Sequence, residues 1–166
     1  MSLLTLALAS AVATASTPIG ASTPIEASTP IEASTPIDAS TPVAADTRAA
    51  LEATCFDYVD GQLEGDPARV ARALHPDPAK RRVLGEVPDE RLGLRRMGRE
   101  ELVELTRQGA LKTPKEQWDR SCTVLDVAGN IAAVRAETPW FVDFFHMGRF
   151  GDRWIIVNAL WYQKPR

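Results

Sequence analysis

Acid–base chemistry in this chain would fall first to Asp143 and His146, which stand three residues apart in Trp140-Phe-Val-Asp-Phe-Phe-His146. A carboxylate or an imidazole can move a proton near neutral pH when an apolar pocket retunes it. Tyr58 would then donate a hydrogen bond to a ligand oxygen. Side chains alternate along a strand, so residues three apart face opposite sides unless a bulge intervenes. The spacing therefore predicts that Asp143 and His146 do not form a dyad. The competing reading makes each a residue hydrogen-bonded to a neighbouring strand or helix, with no catalytic part.

Four tryptophans, Trp118, Trp140, Trp154 and Trp161, offer large apolar faces with one donor each. Most belong to a core or an interface. Trp161, with Asn158 close by in sequence, is the residue on which a flat heteroaromatic ligand would stack. With only two histidines, widely separated, the chain offers no transition-metal site, and nothing in it points to a cofactor. Cys55 and Cys122 would bridge in an oxidising compartment. Cys55 also lies on the apolar side of its helix, which favours two buried thiols instead.

The elements that must position these residues follow from periodicity. Asp46 caps a first helix carrying Leu51, Cys55, Val59 and Leu63, and Gly65 ends it. Asp66 and Pro67 supply the cap and first turn of a second helix reaching Leu74, where His75-Pro76 stops it. His75 would sit there as a cation favoured by the helix dipole. Residues 81–94 are ambiguous, with room for short extended pieces. Gly98-Arg-Glu-Glu101 starts a third helix through Leu102, Val103 and Leu105, and Gly109 terminates it.

From Trp118 onward the pattern alternates. Residues 121–127 and 131–137 form a hairpin about Ala128-Gly-Asn130, and residues 141–150 and 153–162 form another about Gly151-Asp152. The layout is α+β, helices first and an antiparallel sheet last. Trp140, Val142, Phe144 and His146 share one face of the third strand, and Phe141, Asp143, Phe145 and Met147 the other. Both faces are mostly apolar, so the helices should cover one and a partner subunit the other.

A chain of 166 residues with net charge -3 has no basic excess to attract a phosphate backbone, which argues against nucleic acid as a partner. Lys80-Arg-Arg82 and Arg95-Arg96 read as solvated loop charges with no role. Residues 1–15 read as a signal peptide, with an apolar run ending in Ala13-Thr-Ala15. This predicts export, to the periplasm or outside the cell. The missing Lys or Arg at the start leaves a cytoplasmic protein as the alternative, and the run is too short to span a membrane. Residues 16–45 repeat Ala-Ser-Thr-Pro-Ile with period six. Proline at every sixth position defeats helix and central strand alike and predicts a disordered linker. The fold is expected in residues 46–166.

The folded stretch resembles the lumazine-binding branch of the nuclear transport factor 2-like superfamily, whose members include SnoaL-like polyketide cyclases, ketosteroid isomerase and scytalone dehydratase. The resemblance runs from about Arg48 to Trp161. Tyr58-Val-Asp-Gly61, Glu64-Gly-Asp66, Ala73-Leu-His-Pro76, Ala79-Lys-Arg81, Arg99-Glu-Glu-Leu-Val103, Val142-Asp-Phe-Phe-His146, Gly151-Asp-Arg-Trp154 and Ile156-Val-Asn158 carry it. It implies three helices packed on a curved antiparallel sheet that forms a cone, a pocket at the open end, and a homodimer through the outer sheet face. It also implies that His75 lies near the pocket mouth, so the expected ligand-binding residues are Tyr58, His75, Asn158 and Trp161. Three functions follow: a non-catalytic small-molecule-binding domain, a lyase or isomerase using Asp143, His146 or Tyr58, or a dimeric interaction scaffold. The catalytic sets of the known enzymes do not map completely onto these positions.

Overall fold

The structure is a computed structural model, and it describes residues 43–84 and 93–165. The expected signal peptide, and the linker up to residue 42, lie outside the described residues.

Helix α1, Ala45–Glu64, begins one residue before Asp46. Asp46 is therefore in the first turn and not at the cap, which falls to Ala44 and has no side-chain hydrogen bond. A carboxylate in the first turn still opposes the helix dipole favourably. At the other end Gly65 adopts φ 75°, and the chain closes with the Asp66 amide on the Gly61 carbonyl at 2.7 Å. Only glycine takes that left-handed turn without strain. The Asp66 carboxylate then accepts from the amides of Ala68 and Arg69 and starts α2, Pro67–Ala73.

Beyond Ala73 the chain departs from the helical reading. His75-Pro76 does not stop a helix; it lies inside strand β1, Leu74–Val83. His75 is accordingly no helix cap. Pro76 and Pro78 have no N–H for a ladder, and the register of β1 shifts between Leu74 and Ala79 to accommodate them. The ambiguous stretch supplies the end of β1 and the start of β2, Leu94–Met97, which pairs back on it. Helix α3, Arg99–Arg107, follows the uncapped Gly98. Strands β3, Ser121–Ala128, and β4, Ile131–Glu137, form the first hairpin; β5, Phe141–Phe150, and β6, Arg153–Gln163, form the second.

The six strands run in the order β2-β1-β6-β5-β4-β3. All neighbours are antiparallel except β1 and β6, which are parallel. The fold is thus the expected α+β cone, helices against a curved sheet, with one parallel pair that hairpin reasoning did not anticipate. Its core is the α1 stripe of Leu51, Cys55, Val59 and Leu63 against Val134, Phe145, Met147 and Ile156 of the inner sheet face. Cys55 remains fully buried but is joined to Cys122, with Cα atoms 6.2 Å apart. The expectation of two free thiols is corrected: burial and bridging coexist because Cys122 reaches the core from β3.

Candidate functional site

Strand alternation on β1 turns Lys80 inward while Arg81 points to solvent. Lys80 is 7% exposed, and its ammonium donates to the Tyr58 hydroxyl at 2.9 Å and to Asp143 Oδ1. Asp143 is also 7% exposed and comes from β5, two strands away across β6. Tyr58 comes from the buried side of α1, with its ring edge-on to Phe145 at 5.3 Å. Three elements therefore meet at one cationic nitrogen.

Electrostatics hold this arrangement. Burial alone would lower the pKa of Lys80, but the Tyr58 oxygen and the Asp143 carboxylate outweigh it and hold the ammonium well above the usual lysine range. Burial pushes the Tyr58 phenol up, with Asp143 adding to the effect and Lys80 opposing it. Tyr58 is thus a neutral phenol next to a charged amine. The Lys80 nitrogen also lies 5.4 Å from the Trp161 ring centroid, within cation–π range.

Lys80 and Asp143 open onto a cavity of about 150 Å³. Its walls are Met97, Leu102, Leu105, Leu111, Phe141 and Trp161, with Gln62 and Thr106 as further polar members. Phe141 packs edge-on against Trp161 at 5.2 Å. The Trp161 indole nitrogen is sealed and without a hydrogen-bond partner.

The candidate residues read from sequence separate into two groups. Tyr58, Asp143 and Trp161 are drawn together, Asp143 and Trp161 on the cavity wall and Tyr58 behind Lys80. His146 and Asn158 face outward, opposite each other in the β5–β6 ladder. The bulge in that ladder falls on the β6 side, so the alternation of β5 persists and Asp143 and His146 lie on opposite faces. Asn158 and Trp161 likewise stand three positions apart, which puts Asn158 on the face away from the cavity. His75 is not at the cavity; its ring lies 5.5 Å from that of Phe150, and its Nδ1 accepts from the Asp77 amide at 3.0 Å.

Lys80 is the residue that sequence reasoning missed, having read it as a solvated charge. A signal was present nonetheless. Asp143 shares its strand face with Phe141, Phe145 and Met147, and a carboxylate on a buried apolar face requires a partner. Among the described residues no cluster of His, Cys, Asp or Glu could hold a metal ion, and no helix is long and apolar enough to cross a membrane.

Fold and cavity together define an α+β pocket domain of the nuclear transport factor 2-like type. The model of the family described as "Putative lumazine-binding" matches residues 46–162, and the chain belongs to that family. A second model, of a Schizosaccharomyces pombe repeat of unknown function, matches residues 8–47. A search of curated proteins finds no match.

Among solved structures, a nuclear transport factor 2-like protein of unknown function from Silicibacter pomeroyi DSS-3 is 19% identical, with a TM-score of 0.57 over 70% of this chain and 94% of that one. One from Methylobacillus flagellatus KT is 20% identical, with a TM-score of 0.57 over 75% of this chain and 97% of that one. A ketosteroid isomerase-like protein from Erwinia carotovora atroseptica SCRI1043 is 14% identical, with a TM-score of 0.50 over 74% of this chain and all of that one. At these identities the likeness concerns the fold.

Proposed function

We propose that the domain is a non-catalytic receptor for a small organic molecule, held in the cavity beside Lys80, Asp143 and Trp161. The observation that carries this reading is a buried ion pair facing a mostly apolar cavity. Removing two charges from water is expensive, and apolar residues of similar volume usually serve stability as well or better. A ligand that uses the pair gives it a purpose that stability does not. The family description supports the same class of function. Because Asp143 is already the partner of a protonated Lys80, it is poorly placed to take a proton from a substrate. That favours binding over the second reading, a lyase or isomerase in which Asp143 is the base and Tyr58 polarises a carbonyl.

The test uses the full chain and a metabolite library. Saturable binding that disappears in a Lys80→Met/Asp143→Leu double variant of unchanged melting temperature is the expected result. The reading fails if no compound binds saturably.

Two further parts of the reading concern assembly and location. The outer sheet face carries Phe144, Leu160 and Tyr162 at 48%, 52% and 57% exposure, with Phe144 directly opposite Leu160. A contiguous apolar patch of this kind suits a second copy of the chain, and the domain is a homodimer through it. A pocketless scaffold role would use the same face. The Cys55–Cys122 bridge favours an oxidising compartment and hence export after cleavage near Ala15. Mass spectrometry of the mature N-terminus checks this: an uncut start at Met1 or Ser2 in a cytoplasmic fraction removes the export reading.

A further inference from the structure

An ammonium has three N–H bonds to donate, and two of those on Lys80 go to Tyr58 and Asp143. One N–H remains. Asp143 accepts through Oδ1, and among the described residues no donor reaches its Oδ2. The Asp143 side chain is 10% exposed and lines the cavity. Since both residues line the cavity, it has one unused donor and one unused acceptor on adjacent side chains.

Charge narrows what can meet them. The pair is neutral as a unit. An anionic ligand would place a second negative charge beside Asp143, and a cationic one a second positive charge beside Lys80, in a site with little water to screen either. A neutral ligand that accepts and donates at adjacent atoms satisfies both groups without added charge. Size narrows it again, because a cavity of about 150 Å³ matches one known to admit a benzene ring. Ala110, Leu111 and Phe141 border both this cavity and an adjoining groove, which gives a ring substituent a way out.

We propose that the part of the ligand held in the cavity is a single neutral ring with a lactam or imide edge, its carbonyl oxygen accepting from Lys80 and its ring N–H donating to Asp143. This rests on the cavity being the binding site. It goes further by specifying the hydrogen-bond pattern that the ligand must present.

The experiment titrates the isotopically labelled full chain with 2-pyridone, N-methyl-2-pyridone, benzoate and benzene, reading the indole N–H resonance of Trp161. Assignment comes from a Trp161→Phe sample. 2-Pyridone has the adjacent acceptor and donor; its N-methyl analogue has lost only the donor. The expected result is saturation by 2-pyridone at roughly tenfold lower concentration than by N-methyl-2-pyridone, the effect of one hydrogen bond to a charged acceptor. Benzoate should bind more weakly still. If N-methyl-2-pyridone or benzoate saturates the site as readily as 2-pyridone, the lactam assignment is overturned while cavity binding stands. If none of the four probes, and no compound of the metabolite library, perturbs Trp161, the binding reading itself falls and takes this one with it.

Discussion

Lys80 and Asp143 are each tolerable in the interior only because the other is there. Lys80→Met would leave a buried carboxylate without its cation, and removing one partner of such a pair costs about 3–5 kcal/mol. Replacing both, as in Lys80→Met/Asp143→Leu, should recover most of that loss or exceed it. Urea denaturation of the two variants beside the wild type measures the difference. The same cluster sets the alkaline limit. Lys80 and Tyr58 both have folded pKa values raised above their unfolded ones, so their contribution is complete below about pH 10 and is lost as pH rises through the folded values. On the acid side Asp57 is lowered, because hydrogen bonds from Arg72 and Arg69 outweigh its desolvation, and Glu64 is lowered chiefly by Arg69. Their contribution is present above about pH 4 and lost below it. Stability measured against pH should therefore form a plateau from about pH 6 to 9 that falls at both ends.

At the level of elements, the joints between helix and sheet do more than the elements alone. The Cys55–Cys122 bridge pins α1 to β3, an edge strand, across a sequence separation of 67. By chain entropy a loop of that length stabilises by about 4 kcal/mol. Cys55→Ala/Cys122→Ala should accordingly melt about 10–20 °C lower by calorimetry, with little change in secondary structure by circular dichroism. Close packing of α1 on α2 depends on Gly61, where an added Cβ would lie 2.9 Å from Arg69 Cβ and 3.1 Å from the Val70 amide nitrogen. Arg69 clamps the same joint through Asp57 and Glu64, and Arg120 on the way into β3 grips both oxygens of Asp60. These contacts position Tyr58, which lies on the stretch of α1 between Asp57 and Asp60.

For the whole molecule the two faces of the sheet divide the work. The inner face carries the cavity; the outer one carries the apolar patch on which the proposed dimer would form. Leu160→Glu places a charge at 52% exposure in the middle of that patch and should convert a dimer to a monomer in light scattering. Ligand binding should survive the change, since Leu160 points away from the cavity lined by its neighbour Trp161. A dimer that persists in Leu160→Glu would move the interface elsewhere.

Local chemistry in the chain determined a good deal. Helix punctuation at Gly65, Asp66 and Pro67, the core stripe of α1 and the two C-terminal hairpins with their turns are short-range properties, set by dihedral preference and periodicity within a few residues. Strand alternation by itself likewise puts Asp143 and His146 on opposite faces. Tertiary structure decided the rest. Leu74–Val83 is a strand because β6 offers it a parallel ladder, a long-range contact that overrides two prolines and the apparent helix stop at His75. That decision turned Lys80 from a surface charge into the centre of the candidate site and placed His75 on a strand away from the cavity, whereas Asn158 is kept from it by alternation along β6. Burial of a charge depends on which distant partner arrives beside it, and Asp143 stands 63 residues away along the chain.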